Sequence, residues 1–454
     1  AGLAELAARL EEKYIASGLL PGAVLAVVKS GKVVAVWEFG GYHAGTVLKL
    51  YSLSKVFTCL AALQLVDAGK LALDTPVSDV VPEWPAAVAV QAGGDDSQRR
   101  TTVPLTLRHC LAHTAGFSHT LPTVHPVGAW RPIERRRLRA SRAAGRPPAD
   151  LQDLVRREAA HPHLFEPGRH FNYCNVGSWL LARAVEEASG LGIAEYLRQR
   201  LFEPAGMLDT GFVIEKSKAA DCVHTDYHPA VVPAVVDGTP GDPWYRCKAG
   251  LRLRLRAWAA LLLRLPFLRL KEPGCAVFGP ARLWDKSLAL FRPDAGIVGT
   301  AADVVRWLEM LTSRGQVPDG RGASRCVMPA PALAAIGTPE TPELQPPFAL
   351  DAPASEGRPF PVRGDPADAV PGTRPFNSFP GQCFGLGACV VVDPSRCGLP
   401  PRAAGAWHWM GFASTFFFVN PQEELAACFL TQLVSHRVHP IHHELLEGVH
   451  RCLL

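Results

Sequence analysis

Strand-forming runs lie at both ends of this chain, and a long, mainly helical stretch separates them. That order limits the folds open to it. Near the start, Ala23–Val28 and Val33–Trp37 are rich in β-branched residues, and Lys29-Ser30-Gly31-Lys32 between them is a hairpin signal. Near the end, Leu386–Val392, Thr415–Val419 and Leu425–Thr431 carry strand patterns again. Between these ends, helices are predicted over Ser54–Ala68, stopping at Gly69, and over Leu107–His113, Leu151–Ala160, Ser178–Ser189 and Ala194–Leu201, with Gly190 a further stop. An amphipathic helix bearing Leu3, Leu6, Leu10 and Ile15 opens the chain, and a last helix runs from about Pro440 to Cys452. The reading is a helical lobe, residues 61–289, inserted in an α/β lobe made of residues 1–60 and 290–454.

Two segments break the pattern. Residues 119–150 carry prolines and the cluster Arg135, Arg136, Arg137 and Arg139, and residues 326–380 are rich in Pro, Gly and Ala; both read as long loops or insertions. At 454 residues and 48% apolar composition the chain can bury a large core. Its formal charge of +5 is small for that length, and no basic stripe interleaved with aromatics marks a nucleic-acid partner. Cysteines such as Cys59 and Cys428 sit inside apolar runs without any C-x-x-C pair, which favours buried free thiols and a reducing, intracellular compartment. Leu255–Leu270 is the best candidate for a membrane span, and Arg256, Arg264 and Pro266 break it.

Chemistry enters at Ser52-Leu53-Ser54-Lys55. A serine at a helix start and a lysine one turn on share a face, so Oγ and Nζ come within hydrogen-bond reach. A serine hydroxyl is a weak nucleophile until a base takes its proton. Lysine, with a pKa of about 10.4 in water, serves as that base only when its surroundings lower the value. Alone, S-x-x-K arises by chance about once in every two chains of this size.

Its context is more specific. Leu50-Tyr51-Ser52-Leu53-Ser54-Lys55-Val56-Phe57-Thr58 and the following Gly69-Lys70-Leu71 resemble the nucleophile helix of class C β-lactamases and their esterase relatives. Leu107-Arg108-His109-Cys110-Leu111-Ala112-His113-Thr114-Ala115-Gly116-Phe117 is similar to that superfamily's LLTHTSGL stretch, and Tyr173-Cys174-Asn175 to its Y-x-N motif. Pro204-Ala205-Gly206-Met207 resembles PLGM, and Asp294-Ala295-Gly296-Ile297-Val298-Gly299-Thr300-Ala301-Ala302-Asp303 resembles GGGLVSTAAD. Trp409-Met410-Gly411 fits the third motif, on the last active-site strand. Six blocks in family order imply an α+β fold of the β-lactamase/penicillin-binding-protein type: an antiparallel sheet flanked by helices, plus a mostly helical lobe.

The resemblance implies an acyl-enzyme on Ser52, with Lys55 and Tyr173 moving the proton. It makes Asn175 a ligand of Lys55 and of a substrate carbonyl, and it builds the oxyanion site from the N–H groups of Ser52 and Phe412. Gly411 would let substrate approach the strand backbone. The third motif departs from the K-T-G or K-S-G of β-lactamases, since Trp409 puts an aromatic wall where their cation stands. A W-x-G motif resembles that of family VIII carboxylesterases. The expected substrate is therefore a small-molecule ester or amide, cleaved by a carboxylesterase-like serine hydrolase. An acyltransferase, a β-lactamase or D-amino-acid peptidase, and a non-catalytic scaffold are the alternatives. No metal or organic cofactor is implied.

Other signals carry less. Lys29-Ser30-Gly31 spells K-S-G but lies in a hairpin turn, and Ser78-Asp79-Val80 fails S-D-N at its third residue. His436, His439, His442, His443 and His450 read as surface histidines of the final helix, without an H-E-x-x-H pattern. His408, next to Trp409 on a strand, should point to the opposite face. The basic amphipathic stretch Leu251–Lys271 reads as a helix packed on the helical lobe, with a lid or a membrane-surface contact as alternatives.

Overall fold

The computed structural model describes residues 2–91, 98–117, 148–213, 216–223, 226–227, 291–319, 322–341, 381–434 and 440–453. The readings made for Leu251–Lys271, for His436 and His439, and for most of the two irregular segments fall outside those residues.

Both ends of the chain build one seven-stranded antiparallel sheet. The N-terminal end supplies β1 (Ala23–Lys29) and β2 (Lys32–Phe39). The C-terminal end supplies β3 (Gln382–Phe384), β4 (Cys389–Val391), β5 (Trp407–Met410), β6 (Phe416–Asn420) and β7 (Leu425–Leu430). The strand order is β3-β4-β5-β6-β7-β1-β2. The closing contact between the ends is the β1–β7 ladder, which runs from Val24 opposite Leu430 to Lys29 opposite Leu425. The β1–β2 turn has Ser30 at φ 48° and Gly31 at φ 72°, two successive left-handed residues that suit a two-residue hairpin.

Period-two alternation sorts the strand residues between two cores. Ala23, Leu25 and Val27 of β1, with Phe416, Phe418 and Phe429, pack under α1 (Gly2–Leu10) and the C-terminal helix α5 (Ile441–Leu453). Val24, Ala26 and Val28, with Phe417, Cys428 and Leu430, face the larger core, which contains α2 (Leu53–Asp67), α3 (Val176–Ser189) and α4 (Ala301–Thr312). The sheet is thus covered on both faces from β4 to β1, whereas most of the edge strand β2 is exposed.

α2 runs through the middle of the larger core. It is buried nearly all round, from Leu53 to Leu65, as a helix packed on every side must be. It packs against α3 and against the helix Ala330–Ile336. That second helix corrects the reading of 326–380 as loop from its first residue. Pro329 and Pro331 flank its first turn, where a missing N–H costs no intrahelical bond, so the prolines that signalled a loop start a helix.

The final histidines are not all at the surface. His450 is buried between Asn420 and the Leu446 carbonyl, and His442 stacks on Phe416 with ring centroids 4.6 Å apart. His443 is exposed. The apolar face of α5 is wide enough to take two histidines into the contact with the sheet.

Candidate active site

Ser52 stands at the N-terminus of α2 and is half-buried. A short antiparallel ladder, Val47–Lys49 against Val298–Thr300, delivers the chain to this point. The Leu50 N–H continues it by donating to the Ile297 carbonyl at 2.9 Å. Tyr51 then takes φ 48°, a left-handed conformation that a bulky residue adopts only under constraint from its surroundings. Its ring is held against that of Phe412, with centroids 5.9 Å apart.

Lys55 is one turn on, with 2% of its surface exposed. Its Nζ donates to Ser52 Oγ at 3.1 Å and to the Asp294 main-chain oxygen at 2.9 Å. Tyr173 comes from the segment that leads into α3. Its ring centroid lies 5.0 Å from Lys55 Nζ, and the residue is 2% exposed. The structure therefore brings Ser52, Lys55 and Tyr173 together.

The segment bearing Tyr173 is fixed by the block around His113. The Asn172 N–H donates to the His113 carbonyl at 2.8 Å, Asn172 Nδ2 donates to the Phe117 carbonyl at 2.6 Å, and the Cys174 N–H donates to His113 Nδ1 at 3.4 Å. His113 itself has φ 55°, and its ring packs on Tyr173 with centroids 4.6 Å apart. Burial, aided by the Lys55 ammonium, pushes the His113 pKa down to about 3, so the imidazole is neutral. Asn175 is buried at the start of α3, and its side chain does not cap that helix.

Trp409 is not an open wall. It is 1% exposed and packs between Tyr173, at 5.0 Å between centroids, and Phe384, at 5.1 Å and nearly perpendicular. Its neighbour His408 lies on the opposite face, bonded to Gln382 Oε1 at 2.9 Å and beside Phe416. A Cβ at Gly411 would meet the Leu50 carbonyl oxygen at 2.5 Å and Thr415 Oγ1 at 2.0 Å, so the glycine lets protein backbone approach the strand here. This contact seats the turn carrying Phe412 against the loop that leads to Ser52.

Two residues with a place in the site were given no role from the sequence. His113 was legible only as part of a block. Asp294 had a signal, since it stands where the quoted pattern GGGLVSTAAD opens with glycine. Its carboxylate is fully buried and accepts from Trp179 Nε1 at 2.7 Å and from Arg292 Nε and Nη2, both at 2.8 Å. Burial, the largest influence, would raise its pKa, but the charge and hydrogen bonds of Arg292, the Lys55 charge and the Trp179 hydrogen bond together outweigh it and hold the carboxyl below its usual range. Among the described residues, no group of three or more His, Cys, Asp or Glu side chains is arranged to hold a metal. All ten cysteines there are free thiols.

An antiparallel sheet drawn from both chain ends, a helical lobe, and a serine–lysine helix define the serine β-lactamase and penicillin-binding-protein fold. Residues 7–446 match the family model described as Beta-lactamase, and the chain belongs to that family. It is 28% identical over 440 residues to Esterase EstB of Burkholderia gladioli, spanning 94% of this chain and 91% of that protein. It is 29% identical over 188 residues to monacolin J acid methylbutanoyltransferase of Aspergillus terreus, across 39% of this chain and 42% of the other. Among solved structures, EstCE1, a hydrolase with promiscuous acyltransferase activity, superposes with a TM-score of 0.64 at 21% identity, covering 98% of each chain. Simvastatin synthase LovD from Aspergillus terreus, as the LovD9 mutant, superposes with a TM-score of 0.67 at 18% identity, covering 100% of this chain and 99% of that one.

Proposed function

We propose that this chain is a serine hydrolase that cleaves carboxylic esters through an acyl-enzyme on Ser52. The observation that carries the reading is the 3.1 Å contact between Ser52 Oγ and a buried Lys55 amine, beside the Tyr173 ring. In the first step Ser52 Oγ attacks the ester carbonyl, and its proton passes to the Lys55–Tyr173 pair. The oxyanion forms between the N–H of Ser52, at the N-terminal end of α2, and the N–H of Phe412. The pair then returns a proton to the departing alkoxide, and a water or alcohol acceptor releases the acyl group.

Two features favour esters over β-lactams with a carboxylate. Trp409 takes the position of the lactamase cation, and EstB, an esterase, is similar over nearly the whole chain. Transfer to an alcohol uses the same acyl-enzyme, and the similarity to the methylbutanoyltransferase favours an enzyme that partitions between water and an acceptor.

Labelling with a fluorophosphonate, followed by hydrolysis of p-nitrophenyl esters of increasing chain length and of nitrocefin, tests this. The expected outcome is a covalent adduct on wild type and none on Ser52→Ala, with esters turned over far faster than nitrocefin. No adduct on wild type points instead to a scaffold of the same fold, and dominant nitrocefin turnover to a lactamase.

A further inference from the structure

Lys55 is held from below by a part of the chain that takes no direct part in the acyl transfer described above. Its ammonium donates to the main-chain oxygen of Asp294, and the side chain of that same residue is a buried carboxylate. The carboxylate is gripped from two elements. Trp179, one turn into α3 from Asn175, gives it an indole N–H, and Arg292 gives it two guanidinium N–H groups. The Arg292 guanidinium also lies 5.5 Å from the Trp179 ring. The turn itself is bound to α2: Thr58 Oγ1 donates to the Pro293 carbonyl at 2.9 Å, and the Ile297 N–H donates to Ser54 Oγ at 3.1 Å. Asp294 thus joins the nucleophile helix, the Tyr173–Asn175 segment through α3, and the turn beneath them.

Several other groups surround Lys55. Ser52 and Cys59 lie at the start of and within its own helix, and Tyr173 and His113 come from other segments of the chain. Cys59 is a thiol whose pKa burial pushes up to about 12, and the His113 imidazole is neutral, so neither brings charge at neutral pH. Asp294 brings a negative charge, and Arg292 balances it.

We infer that Asp294 is a positioning residue for the serine hydrolase chemistry: its main-chain oxygen fixes the Lys55 amine at Ser52, and its Arg292-balanced carboxylate sets the pH range in which Ser52 is activated. The inference rests on the proposed role of Ser52 and Lys55. It extends to Trp179 and Arg292, which act through Asp294 and not on the substrate.

The sign of each perturbation follows from charge. Asp294→Asn keeps the shape and leaves the Arg292 cation unbalanced, which favours loss of the proton from the Lys55–Tyr173 pair. Arg292→Gln leaves the carboxylate unbalanced and favours retention of it. The double variant is neutral again.

The test is the rate of fluorophosphonate labelling of Ser52 as a function of pH, with thermal unfolding measured on each protein. Asp294→Asn should move the profile by about one unit to lower pH, and Arg292→Gln by a similar amount to higher pH. The double variant should return it close to the wild-type position, even if its maximal rate is lower. Trp179→Phe keeps both charges, so it should lower the rate with little displacement of the profile. Lower rates or stability with every profile in the wild-type place would reduce Asp294 to a packing residue and overturn the inference. Shifts of the same sign in Asp294→Asn and Arg292→Gln would also overturn it. If Asp294→Asn fails to fold, the Arg292→Gln shift and its reversal in the double variant decide the matter. A wild type that takes no label on Ser52 at any pH overturns the hydrolase reading itself, an outcome distinct from labelling whose profile ignores these charges.

Discussion

The Trp409 ring packs against the Tyr173 ring with centroids 5.0 Å apart and planes 48° apart, and Phe384 closes the other side of the indole. The third-motif residue therefore supports the phenol as well as removing the lactamase cation. Trp409→Lys restores the letters K-x-G but puts a buried ammonium between the Tyr173 and Phe384 rings. The expected result is no gain in nitrocefin turnover and a loss of ester turnover of about a hundredfold or more, because the phenol loses its seat. Trp409→Phe should retain more activity, and Trp409→Ala should destabilise the fold by about 3 kcal/mol or more in denaturant titration. Brisk nitrocefin turnover by Trp409→Lys would show that the cavity accepts a carboxylate there after all.

Lys55 separates activity from stability. A methionine at position 55 fills most of the lysine's volume without bringing a charge into the core. It also leaves Ser52 without the amine that contacts its hydroxyl. Lys55→Met should lower the acylation rate by about a thousandfold or more, while the stability stays within about 1 kcal/mol of wild type. Stopped-flow acylation and urea unfolding on the same preparation measure both. A variant that loses several kcal/mol along with activity would mean that the amine's bonds to Ser52 and Asp294 are structural.

What the sequence made legible follows from which forces act locally. The strand runs at each end, the Lys29–Lys32 hairpin and the stop at Gly69 are written in near-neighbour chemistry, and β1, β2 and α2 lie within one or two residues of their predicted limits. The same holds for the Ser52–Lys55 pair, which one helical turn brings together. The helix Ala330–Ile336 was missed because proline at a helix start and proline in a loop look alike until tertiary contacts choose between them. Gly411 poses a related problem. A glycine announces that something comes close, and the sequence does not say whether that is a ligand or, as here, the Leu50 carbonyl. Asp294 was passed over because its partners, Trp179 and Lys55, are more than a hundred residues away along the chain.

Gly411→Ala tests how the last strand meets the nucleophile loop. The new methyl meets a main-chain oxygen at 2.5 Å, and that oxygen belongs to Leu50, two residues before Ser52. Backbone cannot swing aside as a flexible side chain can, so strand and loop must separate by several tenths of an ångström. The expected loss of stability is about 1–3 kcal/mol, as for other over-packed sites. If the Phe412 N–H is an oxyanion donor, its displacement lowers kcat by a further factor of about a hundred. Steady-state kinetics on a substrate of unchanged KM measures the second effect. Thr415→Ala removes the other close atom but leaves the Leu50 oxygen, so it should rescue the double variant only in part.

His113 gives the fold a dependence on acid. Its pKa is about 3 in the native protein, chiefly through burial and next through the Lys55 charge, whereas an unfolded histidine titrates near about 6.5. Above pH 6.5, roughly, neither state binds the proton, and the full stability is present. As pH falls below that value the unfolded chain takes up a proton that the native protein refuses. Stability is then lost progressively until about pH 3, by on the order of 5 kcal/mol from this residue alone. His113→Asn removes the titrating group while keeping a short polar side chain suited to φ 55°. It should be less stable than wild type at pH 7, because it loses the ring contacts with Tyr173 and Phe384. Its stability should nonetheless fall less steeply between about pH 6 and pH 4, so that the two unfolding curves converge in acid. Urea titrations at closely spaced pH values follow this directly, and parallel curves for the two proteins would place the proton uptake on another group.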